Sequence, residues 1–503
     1  MNILGLIERT GNRLPHPASL FFLGLCCIMV LSWLAAALEW RVLHPASGTS
    51  LAANNLISRD GAWWLLSHLV ENFIKFPPLA IVLVGMLGIG MAERTGLLAT
   101  ILRLVIVRTP QVMLTPVTLF LGIMSSLAVD AGYVVLPPIA AALYLAAGRS
   151  PLIGIAVAFA GVSAGFGANL FITALDPLLA GFTQSAATIL VADYQVAVTA
   201  NWWFMIASTL VLALTGWWVT VRWVEPLSVH YPADQKAAGP SAETAITAME
   251  IRALYRALAA LLLTVTLILL WIFLPEGVLH GEGNRFARWI EATVPLLFLV
   301  FVIPAIVFGV SIGNIRSDKD IADMMGATIA ALGPYIVLAF FAAQFVEAFK
   351  YSSLGEMLAI SGGLWLASLA LPAPVLLVGF VMLAMLANLF IGSSSAKYAF
   401  LAPVFVPMLM LAGFSPELTQ AAYRVGDSVT NVITPLNPYM IIVLAFVQQY
   451  AQKAGMGTLI AMMLPYTIAF ALVWSLLLVG WLLLDIPLGP GGNLVFEFIQ
   501  AAR

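Results

Sequence analysis

Apolar residues run along this chain in long blocks separated by short polar punctuation. Nine blocks are long enough to cross a bilayer as helices, at about 19–38, 69–92, 152–182, 200–222, 257–274, 292–313, 325–347, 419–450 and 458–484. Two more, about 112–147 and 373–412, are too long for one straight helix and carry polar tips, Ser125-Ser126 in one and Ser393 to Lys397 in the other. Each reads as a re-entrant helical hairpin. Irregular backbone at membrane depth is tolerated only inside protein or around a wet cavity, so the two tips are expected to meet near a buried site. The pattern therefore predicts an all-α polytopic membrane protein with about nine transmembrane helices and two re-entrant hairpins.

One hydrophilic stretch, 223–250, divides the chain nearly in half and reads as a linker between an N-terminal half, 1–222, and a C-terminal half, 251–503. The halves echo each other. Gly148-Arg149-Ser150-Pro151 answers Gly413-Phe414-Ser415-Pro416 at an offset of 265, and the run from Asn169 to Pro177 answers that from Asn431 to Pro438 at an offset of 261. Each match follows a hairpin, which predicts an internal repeat. With a cytoplasmic N-terminus, nine crossings put thirteen basic residues inside, the linker included, and seven outside, so the positive-inside bias favours that orientation and an external C-terminus. The hairpins then enter from opposite sides. Inverted repeats with broken helices and a midplane site are a recurring design of secondary transporters.

Composition narrows the function. Hydrophobic residues make up 62% of the chain and charged residues 9%, with mean hydropathy +1.02, and the net charge of -2 offers no basic surface for nucleic acid. The two cysteines, Cys26 and Cys27, are adjacent in the first apolar block, which excludes a disulfide framework, and the five histidines fall in or beside loops without a zinc-binding spacing. The block at Leu20 to Leu38 reads as a retained first helix.

The polar residues inside apolar blocks are the candidate site, because ionisable groups at membrane depth are costly and usually mark a substrate or ion path. Most lie between Leu386 and Pro438: Asn388, Ser393, Ser394, Ser395, Lys397, Arg424, Asp427, Ser428, Asn431 and Asn437. Pro435 and Pro438 forbid a regular helix there, so unwinding is expected near Thr430 to Pro435. The freed carbonyls, with the Asp427 carboxylate and an Asn388 or Asn431 oxygen, suit a desolvated sodium ion; Asn169, Thr173 and Asp176 before Pro177 are the first-half analogue. The structural alternative is that Asp427 pairs with Arg424 one turn earlier. The serines and Lys397 suit a carboxylate, or else cap the hairpin helices. Arg424 suits a carboxylate or sulfonyl group through its planar fork, Tyr398 an aromatic ring. Asp130, near the first tip, either captures a cation or caps a helix.

Four segments, Ser393 to Met408 (SSSAKYAFLAPVFVPM), Ala422 to Pro438 (AYRVGDSVTNVITPLNP), Ala339 to Val346 (AFFAAQFV) and Gly90 to Leu97 (GMAERTGL), resemble the p-aminobenzoyl-glutamate transporter family. The resemblance implies a homodimer in a bacterial inner membrane. It also implies cation-coupled movement of p-aminobenzoyl-glutamate, or export of p-aminobenzoate and of sulfonamides that mimic it. It places a sodium site at Asn388 and Asp427. Substrate positions fall at Asp176, Ser393, Ser394, Ser395, Tyr398, Arg424, Pro416 and Pro435, and Tyr398 stands where the family commonly has tryptophan. No cofactor beyond the coupling ion is implied. Other classes are a sodium-coupled dicarboxylate carrier, a passive channel, and an intramembrane aspartyl protease using Asp176 and Asp427; the last lacks the expected Tyr-Asp and Gly-x-Gly-Asp contexts.

Overall fold

The computed structural model describes residues 17–43, 49–128, 131–228, 246–281, 287–434 and 436–496. Leaving aside two short turns, Glu225–Ser228 and Ala287–Glu291, the helices are α1 (Pro17–Ala37), α2 (Arg59–Ile74), α3 (Pro77–Arg94), α4 (Leu97–Val107), α5 (Leu114–Met124), α6 (Ala131–Ala146), α7 (Pro151–Phe159), α8 (Leu175–Ala187), α9 (Trp202–Val219) and α10 (Ala248–Phe273). They continue as α11 (Thr293–Ile312), α12 (Asp318–Ala331), α13 (Gly333–Tyr351), α14 (Leu354–Ser368), α15 (Ala373–Asn388), α16 (Ser394–Leu411), α17 (Pro416–Val429), α18 (Tyr439–Tyr450) and α19 (Met456–Leu483). A two-stranded antiparallel ribbon, Arg41–Leu43 with Ser50–Ala52, is the one sheet among the described residues. Seven helical stretches are long and apolar enough to cross a membrane, or up to nine if each of two bent helix pairs is one span.

That total hides a correction. The block at 152–182 is not a continuous span, and that at 419–450 is interrupted where its prolines predict. The first runs through α7 into a π-helical turn, Ala160–Ala164, and then breaks until α8; the second breaks between α17 and α18. In the first, Gly165 and Gly167 weaken the helix and Pro177 cannot complete the hydrogen bonding of a preceding turn. The break is apolar enough to look helical because protein groups satisfy its amides: Gly167 N donates to Ser428 Oγ (2.8 Å), Phe171 N to Asn169 Oδ1 (2.9 Å) and Thr173 N to Asp176 Oδ2 (2.6 Å). Prolines likewise split the 69–92 block into α2 and α3 at Pro77-Pro78, while the pair α12 and α13 bends by 48° ahead of Gly333-Pro334. The helices α4 and α14 belong to none of the expected blocks.

Both expected hairpins are present, α5 with α6 and α15 with α16, and each packs its first arm on the broken helix of its own half. The second arms also reach the other half. The arm α16 packs on α8 of the first half, and α6, besides packing on α7 of its own half, meets α18 of the second. Equivalences extend to single atoms. Gly148 and Gly413 both hold positive φ, +73° and +92°, in the turn that ends a hairpin, and Pro151 and Pro416 both start the next helix. In the first break Leu175 N donates to Thr173 Oγ1 (3.2 Å), and in the second Leu436 N donates to Thr434 Oγ1 (3.4 Å). A Cβ added at Gly165 would lie 2.6 Å from Ile123, and one at Gly426 would lie 2.6 Å from Ala384, so each hairpin arm meets its broken helix where only glycine fits. The partners within the breaks and on the hairpin arms are related by the offset of 261, and the turn glycines and helix-starting prolines by 265.

Residues 229–245 of the linker, Asp130 and Pro435 lie outside the described residues. The linker's flanks are tied down by ion pairs, Arg149 with Glu225 and Arg103 with Glu250 (2.9 Å).

Candidate transport site

The tips of both hairpins and the first helix break line one cavity of about 270 Å³. Its wall includes Ser126 of the first tip, Phe166 and Thr173 of the first break, Ser394 and Ser395 of the second tip, and Tyr335 of α13. Its size is near the lower end of the ~300–1,000 Å³ typical of small-molecule pockets.

Behind this wall stand two buried ion pairs. Asp427 pairs with Lys397 at 2.5 Å, and Asp176 pairs with Arg424; all four side chains are at most 2% exposed. The alternative in which Asp427 pairs with Arg424 is therefore replaced by a different pairing. The reason is packing on α17 from both sides: α8 of the first half presents Asp176 to Arg424, while the start of α16, in the same half as α17, brings Lys397 to Asp427. Both pairs connect to the cavity in the same way. The second oxygen of Asp427 accepts from Ser394 Oγ (2.8 Å), and that of Asp176 accepts from Thr173 Oγ1 (2.9 Å). A ligand that engages either hydroxyl therefore acts on a carboxylate whose other oxygen is held by a cation. Tyr423 Oη adds a further donor to Asp427 Oδ1 at 3.2 Å, and Arg424 Nε donates to Asn201 Oδ1 at 3.2 Å.

Asn388 ends α15 beside the second break. Its Nδ2 faces three oxygens, Asp427 O (2.6 Å), Thr430 Oγ1 (2.8 Å) and Asn431 Oδ1 (2.9 Å), while its Oδ1 accepts from Lys397 Nζ. The break follows Val429, as expected from the prolines, and α18 begins at Tyr439. Carbonyl, hydroxyl, amide and carboxylate oxygens thus converge here, a donor set suited to a hard monovalent cation. Asn169 pins the first tip instead, donating to Ser126 Oγ at 2.9 Å.

Other expected residues take different places. Ser393 is exposed and caps α16 through Ala396 N (3.3 Å), so the capping alternative holds for it, whereas Ser394 and Ser395 face the cavity. Tyr398 is fully buried: its hydroxyl meets Thr183 Oγ1 at 2.6 Å and its ring lies 4.2 Å from that of Tyr423. Pro416 sits at the first position of α17, and with a helix rise of ~1.5 Å per residue it is remote from the break at that helix's other end.

The chain matches the model of the AbgT putative transporter family over residues 2–496. The chain belongs to the AbgT transporter family. It is 34% identical over 494 residues to the p-aminobenzoyl-glutamate transport protein of Escherichia coli K12, covering 97% of this chain and 96% of that one. Two solved structures share its fold. The YdaH transporter of Alcanivorax borkumensis superposes with a TM-score of 0.90 at 42% identity, covering 95% of this chain and all of that one. MtrF of Neisseria gonorrhoeae, described with a class of antimetabolite efflux pumps, gives 0.90 at 40% identity, covering 98% of this chain and all of that one. This AbgT member is thus a multi-pass membrane transporter and not an enzyme. The protease reading also fails on geometry, since Asp176 and Asp427 are each claimed by a separate cation.

The role of Lys397 as partner of Asp427 was missed from the sequence. A signal was available: Ala396-Lys397-Tyr398 answers Ala131-Gly132-Tyr133 at the offset of 265, which singles out lysine as the residue that differs.

Proposed function

We propose that this AbgT transporter is a secondary active carrier of p-aminobenzoyl-glutamate and p-aminobenzoate-like aromatic carboxylates, and that sulfonamides resembling them share its path. The observation that carries the reading is one cavity lined by Thr173 and Ser394, whose hydroxyls each hold the second oxygen of an ion-paired carboxylate. Phe166 and Tyr335 give the same cavity aromatic walls for one ring. The E. coli relative bears the name of a p-aminobenzoyl-glutamate transport protein, and MtrF is linked to antimetabolite efflux, which is the pairing of substrates this cavity would serve.

The coupling ion in this reading is sodium, held by Asp427, Asn388, Asn431 and the Asp427 carbonyl. The inverted halves, joined by a cytoplasmic linker over 223–250, rock about the two breaks in a homodimer of a bacterial inner membrane, with the N-terminus inside and the C-terminus outside.

The test is exchange in proteoliposomes loaded with unlabelled p-aminobenzoyl-glutamate. Uptake of radiolabelled p-aminobenzoate should saturate and be blocked by a sulfonamide. Exchange of succinate without exchange of either aromatic ligand would replace this reading with a dicarboxylate carrier.

A further inference from the structure

The oxygens best suited to a coupling cation are already engaged by a cation of the protein's own. Lys397 is 0% exposed, and its ammonium contacts Asp427 Oδ1 at 2.5 Å and Asn388 Oδ1, with the Tyr423 ring centroid 5.9 Å away. From that juxtaposition we propose that Lys397 is a tethered counter-cation that occupies the coupling site of the unloaded transporter, and that an incoming monovalent cation binds by displacing it from Asp427. The inference rests on the proposed coupling role of Asp427 and adds the residue against which the ion competes.

Three observations support competition over a packing role. First, the ammonium and the incoming ion need the same two oxygens, and two cations a few ångströms apart at one buried carboxylate repel strongly. Second, the hairpin does not need a lysine here. The equivalent position in the first half is Gly132, at the offset of 265, and the equivalent of Asp427 at the offset of 261 is Phe166, so both charges are absent together from the matching positions of a hairpin and break of the same construction. Third, the stem is anchored in the first turn of α16, two residues after Ser395 on the cavity wall. An ammonium released from Asp427 stays at the edge of that cavity, where an anionic ligand supplies a new counter-charge. Binding of the ion and of a carboxylate are then linked through one side chain.

The experiment is equilibrium binding of radiolabelled sodium to the purified full-length protein, compared among wild type, Lys397→Met, Lys397→Arg and Asp427→Asn. Removing the competitor should tighten sodium binding by about tenfold or more in Lys397→Met, whereas the guanidinium of Lys397→Arg, which holds a carboxylate with two parallel bonds, should weaken it. Met and Arg variants that are both unchanged or both weaker would overturn the proposal, and if Asp427→Asn alone abolishes binding the ion site itself stands. No sodium binding by the wild type would overturn the sodium reading and this inference together. If Lys397→Met does not fold, amine labelling of the wild type decides. Sodium, compared with N-methylglucamine, should speed modification of Lys397 as read by peptide mass spectrometry, and an unchanged rate would overturn the displacement.

Discussion

The two helix breaks share a scaffold and differ in charge. After α7 and after α17 the chain leaves the helix beside a close-packed glycine, Gly165 or Gly426, and re-forms a turn on a threonine, Thr173 or Thr434, that accepts from the amide two residues on. Each break is pinned to its own hairpin by an asparagine amide, Asn169 reaching out to the first tip and Asn388 reaching in from the second hairpin. Yet the first hairpin and break carry Gly132 and Phe166 where the second carry Lys397 and Asp427. Duplicated geometry supplies two irregular segments, and among the described residues only the second is furnished with a buried charge pair of its own. The other contributes Asp176 across the interface to Arg424, so the second ion pair joins the halves.

Breaking the charged break should have the largest effect. Asp427→Asn, nearly isosteric, leaves Lys397 without its counter-charge, and gradient-driven flux per folded protein should fall by about 100-fold or more, roughly 3 kcal/mol in the coupled step, alongside a stability loss like that of the cross-half pair. Severing the cross-half pair comes next. Asp176→Asn or Arg424→Met each strands a buried charge and should lower stability by about 3–5 kcal/mol in thermal unfolding, and the double variant should recover part of that loss. The shared scaffold predicts equal sensitivity in both halves: Gly165→Ala and Gly426→Ala each press a methyl group onto a hairpin arm and should destabilise by about 1–3 kcal/mol. The finest contrast is between adjacent serines. Ser394→Ala removes the hydroxyl that links the cavity to Asp427 and should weaken ligand or ion binding by about fivefold, roughly 1 kcal/mol, whereas Ser393→Ala removes a cap and a contact to Ser395 Oγ (3.2 Å) but no contact to a carboxylate, and should shift stability by about 1 kcal/mol with a smaller change in the binding constants.

Much of this was legible in the sequence, for a physical reason. Long apolar blocks and their polar interruptions report directly on bilayer crossing and on the hairpins, and Pro435 with Pro438 marked the second break. The first break was hidden because Gly165, Phe166, Gly167, Leu170 and Phe171 read as apolar, and the groups that satisfy their amides come from elsewhere, Ser428 among them. Pairing was legible only in part. That Asp427, Lys397, Arg424 and Asp176 needed partners followed from their depth, but the partner of each was set by the packing of α8 and α16 on α17, which sequence spacing along one helix cannot encode. Arg424 and Asp427, one turn apart, were the local choice; packing on neighbouring helices, one from each half, supplied the actual partners.

The most direct test of the central claim, that the charged second break drives movement through a cavity shared by both halves, is flux of radiolabelled p-aminobenzoyl-glutamate in proteoliposomes under an imposed sodium gradient, for wild type and Asp427→Asn. Flux should follow the gradient in the wild type and disappear in the variant, while exchange at zero gradient still shows binding of the ligand. Gradient-driven flux that persists undiminished in Asp427→Asn would contradict it.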